Sequence, residues 1–292
     1  MSTEMLNSDS SASLPELVSS DAVATPNEDE LTEDPFLQML AETADLVPAL
    51  NHTTKFAGKE YATSASGVME AEFSGVPVKI AIDGGASGCG GKVWPAGELL
   101  SRYVIDAKDD ESSLAHGPVW EQSRERKVQI VELGSGTGLV GLALANAYKT
   151  KFGKTESDAG LDIVISDQIN MMDLMTENIK LNNQEDIVTA DVIDWGKPLD
   201  EKYVNVSVVL AADCVYFEPA FPLLEKTLLD LAGENTLMLM AYKKRRKADN
   251  KFFMSIKKSF KIIEIKNYGD YYQEFSRDSV VIYQLVRKQP PR

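Results

Sequence analysis

A glycine-rich turn after an apolar run places the strongest constraint on how this chain folds. The run "KVQIVEL" (127–133) leads directly into "GSGTGLVG" (134–141). Apolar, β-branched residues favour a buried strand, and closely spaced glycines allow a tight turn that other residues make only with strain. A helix that begins near Leu139 then presents free N–H groups in its first turn. The segment therefore predicts a strand, a loop and a helix, with a ligand at the loop.

From residue 127 onward the chain alternates between strand and helix patterns. Apolar runs typical of strands occur at 127–133, 161–166, 186–193, 206–212, 236–242, 261–267 and 279–286, and helical candidates lie at about 139–149, 170–182, 218–231 and 248–259. This alternation indicates a parallel sheet covered on both faces. No helix is predicted over 268–278, so the last two strands should form an antiparallel hairpin at the sheet edge. The predicted fold class is α/β, a Rossmann-like, seven-stranded and mostly parallel sheet with helices on both faces.

The acidic charge of the chain is concentrated at its start. The formal net charge is −15, and residues 1–50 hold eleven carboxylates and no Lys or Arg. Residues 1–35 lack the apolar surface that offsets ordering entropy, which predicts a disordered acidic tail. We expect an N-terminal lead-in over 36–126, with short strands around 71–83 and a helix over 95–107, followed by a core over 127–292.

Composition argues against several classes of protein. No stretch reaches the roughly 18 consecutive apolar residues of a membrane helix, and the acidic N-terminus does not read as a signal peptide. The chain has two cysteines, without a CxxC spacing, and two histidines. We therefore expect no metal site and a reducing compartment. Beyond the tail the charge is near neutral, which argues against a nucleic-acid partner. We expect a cytoplasmic monomer.

The glycine loop matches two cofactor fingerprints. The stretch 136–141 fits the dinucleotide pattern G-x-G-x-x-G, whereas 132–138 fits the E-x-G-x-G-x-G loop of S-adenosylmethionine-dependent methyltransferases. Asp167, at the end of the second strand, can hold ribose hydroxyls in either case. Glu132 suits the ammonium of S-adenosylmethionine, and seven strands that end in an antiparallel hairpin are the layout associated with class I methyltransferases. The sequence therefore favours S-adenosylmethionine.

Six segments of the chain together carry a family resemblance, namely "GKVWPAGELLSRY" (91–103), "VELGSGTGLVGLALA" (131–145), "VISD" (164–167), "DVIDWG" (191–196), "AADCVYFEPAFPLLEKTL" (211–228) and "YKKRRKADNKFF" (242–253). They resemble the family 16 methyltransferases, most of which are protein-lysine N-methyltransferases. Within that family the likeness is closest to fungal enzymes that act on translation elongation factor 1-alpha. The resemblance implies S-adenosylmethionine as cofactor and a lysine of elongation factor 1-alpha as target.

The resemblance also assigns candidate site residues. It implies that the cofactor contacts Trp94, Gly134, Ser135, Gly136, Asp167, Trp195 and Ala212, and that Asp213 and Tyr216 of "ADCVY" form a D-x-x-Y element beside the transferred methyl group. Each role is physically reasonable, since tryptophan rings can cover a cofactor and a small alanine lets it approach the strand end. We expect Asp213 to capture and orient the incoming ammonium.

Other interpretations of these residues remain open. The basic run "KKRRK" (243–247) is an RNA-binding patch, a nuclear signal, or a solvated or substrate-facing surface. The glycine-rich stretch 83–91 is interpreted as a flexible lead-in, with a lid over the cofactor as the alternative. The rival functions are a methyltransferase that acts on RNA or a small molecule, and a non-catalytic interaction protein with the same fold.

Overall fold

The computed structural model describes residues 53–62, 65–106, 122–153, 160–204, 206–266 and 268–288. The predicted acidic tail over 1–35 lies outside these ranges. The predicted lead-in over 36–126 is described only from residue 53 onward and with gaps. Among the helices of this described part, none is long and apolar enough to cross a membrane.

The described residues form eleven strands and six α-helices. The strands are β1 (Thr53–Phe56), β2 (Lys59–Ala62), β3 (Ser66–Phe73), β4 (Val76–Asp83), β5 (Lys127–Leu133), β6 (Gly160–Asp167), β7 (Val188–Val192), β8 (Val208–Ala212), β9 (Leu237–Lys243), β10 (Phe260–Ile265) and β11 (Val280–Arg287). The helices are α1 (Pro95–Asp106), α2 (Leu139–Phe152), α3 (Met172–Leu181), α4 (Phe221–Leu231), α5 (Asn250–Ile256) and α6 (Tyr272–Arg277).

The seven predicted core strands form one sheet. Its order is β10-β11-β9-β8-β5-β6-β7. The five strands from β5 to β9 pair in parallel, whereas β11 lies antiparallel between β9 and β10. The α/β class and the antiparallel C-terminal pair are therefore confirmed. This order brings the carboxyl ends of β6, β5, β8 and β9 to one edge of the sheet, in that sequence.

The connection between the last two strands differs from the prediction. A short helix, α6, occupies part of the segment that the sequence left without one. Its Phe275 is buried, and Tyr268 just before it packs edge to face on Tyr103 of α1, with ring centroids 5.7 Å apart. Packing of Tyr268 against α1 and burial of Phe275 stabilise a turn of helix too short to give a periodic signal.

Helices cover the sheet on both faces. One apolar layer contains buried residues of α1, α2, α3 and the β3–β4 hairpin, and the other contains those of α4 and α5. The strands of the central sheet contribute alternate side chains to each layer, as expected for a sheet buried on both faces. This arrangement leaves the carboxyl ends of the parallel strands as the place where a ligand can bind.

Two asparagines dock the lead-in hairpin onto the core. Asn178 accepts from the amide of Ala81 on β4 at 2.6 Å and donates to its carbonyl at 3.1 Å. One helical turn later, Asn182 makes the same pair of bonds to Lys79, at 3.0 and 2.7 Å. Asn178 also donates to the carbonyl of Thr137 at 3.0 Å. The two side chains thus complete the free edge of β4 and connect it to the glycine loop.

Candidate active site

The glycine loop joins β5 to α2 with a backbone that needs glycine. Gly134, Gly136 and Gly138 have φ angles of 62°, 55° and 78°, in the left-handed region. Gly134 also has no room for a side chain, because a Cβ there would lie 2.9 Å from Cζ2 of Trp195 and 3.0 Å from Sγ of Cys214. The spacing of these glycines therefore reflects both backbone conformation and the close approach of neighbouring elements.

Two serines fasten the loop to the adjacent strand. The amide of Ser135 donates to the carbonyl of Ser166 at 2.9 Å, and the Ser166 amide donates to the Ser135 hydroxyl at 2.7 Å. Both hydroxyls also lie within hydrogen-bond distance of the carbonyl of Glu132, at 2.9 and 2.7 Å. The hydroxyl of Ser135, a predicted cofactor residue, is thus engaged with the protein backbone.

Glu132 lies beneath the loop, which differs from the position that its predicted role needs. The side chain is 2% exposed, and one carboxyl oxygen accepts from the amide of Gly141 in the first turn of α2 at 2.7 Å. Burial raises the pKa of this carboxyl to about 8. Glu132 anchors the start of α2 instead of presenting a carboxylate to a ligand's ammonium, because residues on a buried strand alternate between its two faces.

Asp167 ends β6 beside the loop. Its carboxylate accepts from the amides of Gly136 and Gln168, both at 2.8 Å. Burial raises the pKa of this carboxyl, and the two amide bonds oppose that shift. A carboxylate offers about four acceptor positions, so each oxygen keeps one for a ligand hydroxyl. The geometry is compatible with a pair of ribose hydroxyls.

The glycine-rich stretch 83–91 packs on the glycine loop. Asp83 orders its beginning by accepting from the amides of Gly85 and Ser87 at 2.8 and 2.9 Å. The stretch ends in a 3₁₀ turn, and a Cβ on Gly136 would lie 2.7 Å from the carbonyl oxygen of Gly90. The predicted flexible lead-in is therefore an ordered turn against the loop, nearer to the alternative of a cover.

Asp213 follows β8 in the left-handed region, with φ of 59°. It is 7% exposed, and Arg245 donates to both of its oxygens, Nη1 to Oδ1 at 2.7 Å and Nη2 to Oδ2 at 2.6 Å. The backbone amide of Lys243 donates to Oδ1 at 3.3 Å. The guanidinium of Arg245 also lies over the ring of Trp94, 5.5 Å from its centroid. Trp94 itself donates to the carbonyl of Cys89 at 3.0 Å.

The other predicted residues lie around this pair. Ala212 ends β8, and Tyr216 follows it half-buried. Burial raises the pKa of the Tyr216 phenol, so it stays protonated near neutral pH. Trp195 is half-buried after β7, against Gly134. The structure therefore brings the predicted site residues to one edge of the sheet.

The sequence did not predict Arg245 and Arg246 as site residues. Both belong to the basic run 243–247, yet each forms an internal ion pair. Arg246 pairs with Asp249 at 2.7 Å and donates to the carbonyl of Tyr216. An Asp three residues after an Arg was the one available signal, and nothing local marks the pairing of Arg245 with Asp213. Two cations of the run thus point inward, which weakens its interpretation as an RNA-binding patch.

A polar groove of about 530 Å³ lies between α1, the β1–β2 turn, the end of β9 and α6. Lys243, whose amide contacts Asp213, belongs to its wall. Charged residues of its lining include Lys55, Arg102, Lys243, Lys244, Glu274 and Asp278. In the order of strand ends, Asp213 at β8 therefore lies between the glycine loop and Asp167 on one side and Lys243, in the wall of this groove, on the other.

No group of three or more His, Cys, Asp or Glu side chains suited to a metal ion occurs among the described residues. Cys214, between the loop and β8, is buried and donates to the carbonyl of Leu133 at 3.1 Å. Burial raises the pKa of its thiol well above the ordinary value. A thiol held protonated in this way serves packing and not nucleophilic attack.

Comparisons with known proteins agree with this geometry. Residues 73–259 match a family model described as lysine methyltransferase. The chain is 42% identical to protein-lysine N-methyltransferase EFM6 of Saccharomyces cerevisiae over 72% of its own length and 86% of that protein. It is 28% identical to protein N-lysine methyltransferase METTL21A of Xenopus tropicalis, over 59% of this chain and 69% of that one. Protein-lysine N-methyltransferase EFM2 of S. cerevisiae is 32% identical over 45% of this chain, but only 31% of its own length is matched.

Proposed function

The chain belongs to the lysine methyltransferase family, and from this premise we propose that its protein substrate is translation elongation factor 1-alpha. It is an S-adenosylmethionine-dependent protein-lysine N-methyltransferase. The narrower substrate is supported by the resemblance of six ordered segments to fungal enzymes that act on this factor. The yeast relative, named as a protein-lysine N-methyltransferase and matched over 86% of its length, supports a protein substrate. Such a substrate places the enzyme in the cytoplasm, and we propose that it acts there as a monomer.

The residues at the sheet edge fit the cofactor. We propose that the backbone of Gly134, Ser135 and Gly136 approaches it closely, since side chains at the two glycines would clash with neighbouring elements. Asp167 keeps acceptor positions for ribose hydroxyls. Three further residues border the same place, namely Trp94, Trp195 and Ala212. When bound, S-adenosylmethionine supplies a methyl group attached to a positively charged sulfur, and an amine nitrogen can displace that sulfur from the methyl carbon.

The protein must deliver a neutral amine aligned with that methyl group. A free lysine has a pKa of ~10.4, so its deprotonation at pH 7 costs about 4.6 kcal/mol. Burial around Tyr216 and Phe217 lowers this cost, because an apolar wall disfavours the ammonium form. We propose that Asp213 and Tyr216 orient the amine, and that the proton leaves through water. A protonated Tyr216 phenol can bond to the amine but cannot remove its proton.

We propose that the groove lined by Lys243 holds the substrate chain next to the target lysine. The order of strand ends supports this role, because the cofactor half of the edge and the groove wall at Lys243 lie on opposite sides of Asp213. A lysine side chain is long enough to reach from a groove into the site while its backbone stays at the surface. Lys243 and Lys244 line the groove together with Glu274 and Asp278, so we expect the flanking segment to carry charges of both signs.

Transfer of radioactive methyl groups tests the substrate. Purified enzyme is incubated with tritiated S-adenosylmethionine and lysate from cells that lack it, and labelled bands are identified by mass spectrometry. We expect one protein band, elongation factor 1-alpha, with label lost in Asp213→Ala, which removes the hydrogen-bond acceptor, while S-adenosylmethionine still binds by calorimetry. Glu177→Gln, on the exposed face of α3, is the matched control. Label in RNA or small molecules, or in a different protein, would refute the proposed substrate.

A further inference from the structure

The ion pair between Asp213 and Arg245 bears on how the target lysine loses its charge. This inference rests on the proposed function of Asp213 in orienting the lysine. A lone carboxylate beside the amine would stabilise the ammonium form and oppose transfer, because an opposite charge within ~4–6 Å shifts a pKa by about 1–3 units. The carboxylate at this position is not alone, however, since Arg245 binds both of its oxygens.

The contacts of Asp213 leave room for one more donor. Its oxygens accept two bonds from Arg245 and one from the amide of Lys243. A carboxylate has about four acceptor positions, so one remains free for an N–H of the amine. The pair as a whole carries no net charge. Asp213 can therefore still orient an amine by a hydrogen bond, without the attraction that an isolated carboxylate exerts on an ammonium.

Arg245 is held in place by contacts independent of a ligand. Its guanidinium lies over the ring of Trp94, and its side chain is only 20% exposed. Although burial opposes the charged form, Asp213 raises the pKa of Arg245, so the guanidinium stays charged. The next residue, Arg246, fastens the same segment to Asp249 and to the carbonyl of Tyr216. The bidentate geometry is thus fixed from both sides.

The other ionisable groups around the pair do not replace this charge balance. Those that interact with it are Cys89 from the 83–91 turn, Cys214 and Tyr216 after β8, and Tyr242 and Asp249 from the segment around β9. Burial raises the pKa values of both thiols and of both phenols, so these four groups are neutral near pH 7. The Asp249 carboxylate is paired with Arg246.

We propose that Arg245 is a positioning residue that cancels the charge of Asp213, so that this carboxylate orients the target lysine without favouring its ammonium form. Arg245 acts through Asp213 and does not touch the reacting atoms. The arrangement resolves a conflict in the D-x-x-Y element, which needs a hydrogen-bond acceptor beside an amine that must be uncharged.

The pH dependence of single-turnover methyl transfer tests this proposal. The rate at saturating substrate reports ionisations in the enzyme–substrate complex. In Arg245→Gln, we expect the midpoint of the acid limb to rise by about 1–3 pH units, with transfer rescued at alkaline pH. Arg245→Lys, which keeps the positive charge, should remain close to wild type. The double variant Asp213→Asn with Arg245→Gln removes both charges and should return the midpoint toward wild type. Lys247→Gln, exposed in the same basic run, is the matched control.

A binding measurement separates charge balance from a purely structural role. With S-adenosylhomocysteine bound, an unmasked Asp213 should attract the ammonium, so Arg245→Gln should bind the protein substrate several-fold more tightly at pH 7 while transferring methyl more slowly. An unchanged midpoint, with activity lost equally at every pH, would overturn the proposal. Faster transfer at neutral pH would also overturn it, because Arg245 would then be a competitor for the lysine. Failure of the proposed function would show itself separately, as the absence of transfer by the wild-type enzyme although cofactor binds.

Discussion

The buried carboxyl of Glu132 should make the stability of this protein depend on pH. Glu132 accepts from the amide of Gly141 beneath the glycine loop and is 2% exposed. Burial raises its pKa from 4.5 to about 8 in the folded protein. Folding therefore favours the protonated carboxyl, and its contribution to the free energy of unfolding is present at low pH and is lost as pH rises from 4.5 toward 8.

The size of the effect follows from the shift. Each pH unit between the two pKa values lowers the free energy of unfolding by about 1.4 kcal/mol. From pH 5 to pH 7, Glu132 should therefore reduce that free energy by about 2.5 kcal/mol. The variant Glu132→Gln cannot ionise but keeps an oxygen for the Gly141 amide. Its stability relative to wild type should therefore increase by about that amount over the same interval, since other groups titrate in both proteins and cancel.

Urea unfolding at pH 5, 6 and 7, followed by circular dichroism without cofactor, measures this difference. Glu177→Gln, on the exposed face of α3, is the control and should show no pH-dependent difference from wild type. A gap between Glu132→Gln and wild type that stays constant from pH 5 to 7 would refute the reasoning. It would mean that the Glu132 carboxylate remains ionised in the folded state, held by the amides at the start of α2.

Three further changes test the connections of the site. Asn178→Ala should lower the free energy of unfolding by about 3 kcal/mol in urea titrations, since three buried hydrogen bonds of ~1 kcal/mol each are lost; an effect below ~1 kcal/mol would contradict the docking role. Asp167→Asn should weaken S-adenosylmethionine binding by roughly tenfold in calorimetry, because a charged acceptor is replaced by a neutral one, and unchanged affinity would exclude the ribose role. The pair Lys243→Glu and Lys244→Glu should raise KM for the protein substrate about tenfold and leave KM for the cofactor unchanged; equal changes in both would remove the groove from substrate binding.

Part of the fold was predictable because its signals are local. The runs that became β5 to β11 differ from the observed strands by at most two residues at either end. Apolar periodicity and glycine spacing act over a few residues, so they can be read without knowing the partners of a segment. The helix α6 escaped prediction for the opposite reason. It depends on the packing of Tyr268 against α1 and on the burial of Phe275 in an apolar layer built from distant parts of the chain.

The candidate site was likewise predictable in part, and its long-range contacts were not. The resemblance assigned the residues that the structure brings to one edge of the sheet, from Trp94 to Tyr216. It gave no sign that Asp213 is paired with Arg245, 32 residues later in the chain. Glu132 illustrates a different limit, since its spacing in the glycine loop fitted a ligand contact. Its side chain nevertheless points beneath the loop, because the pleat of β5 decides which face each residue occupies.

By itself, the sequence determined the order of the core strands, the helices α1 to α5 and the glycine loop, since each depends on residue types at short spacing, and its resemblance to a family implied the class of chemistry. Tertiary structure decided which charged side chains form ion pairs and which hydrogen bonds form. The side chain of Asn178 meets Ala81 across 97 residues of chain, and Arg245 reaches Asp213 because the ends of β8 and β9 meet at one edge of the sheet. Burial then sets the strength of these contacts, and burial is a property of the assembled layers and not of any single segment.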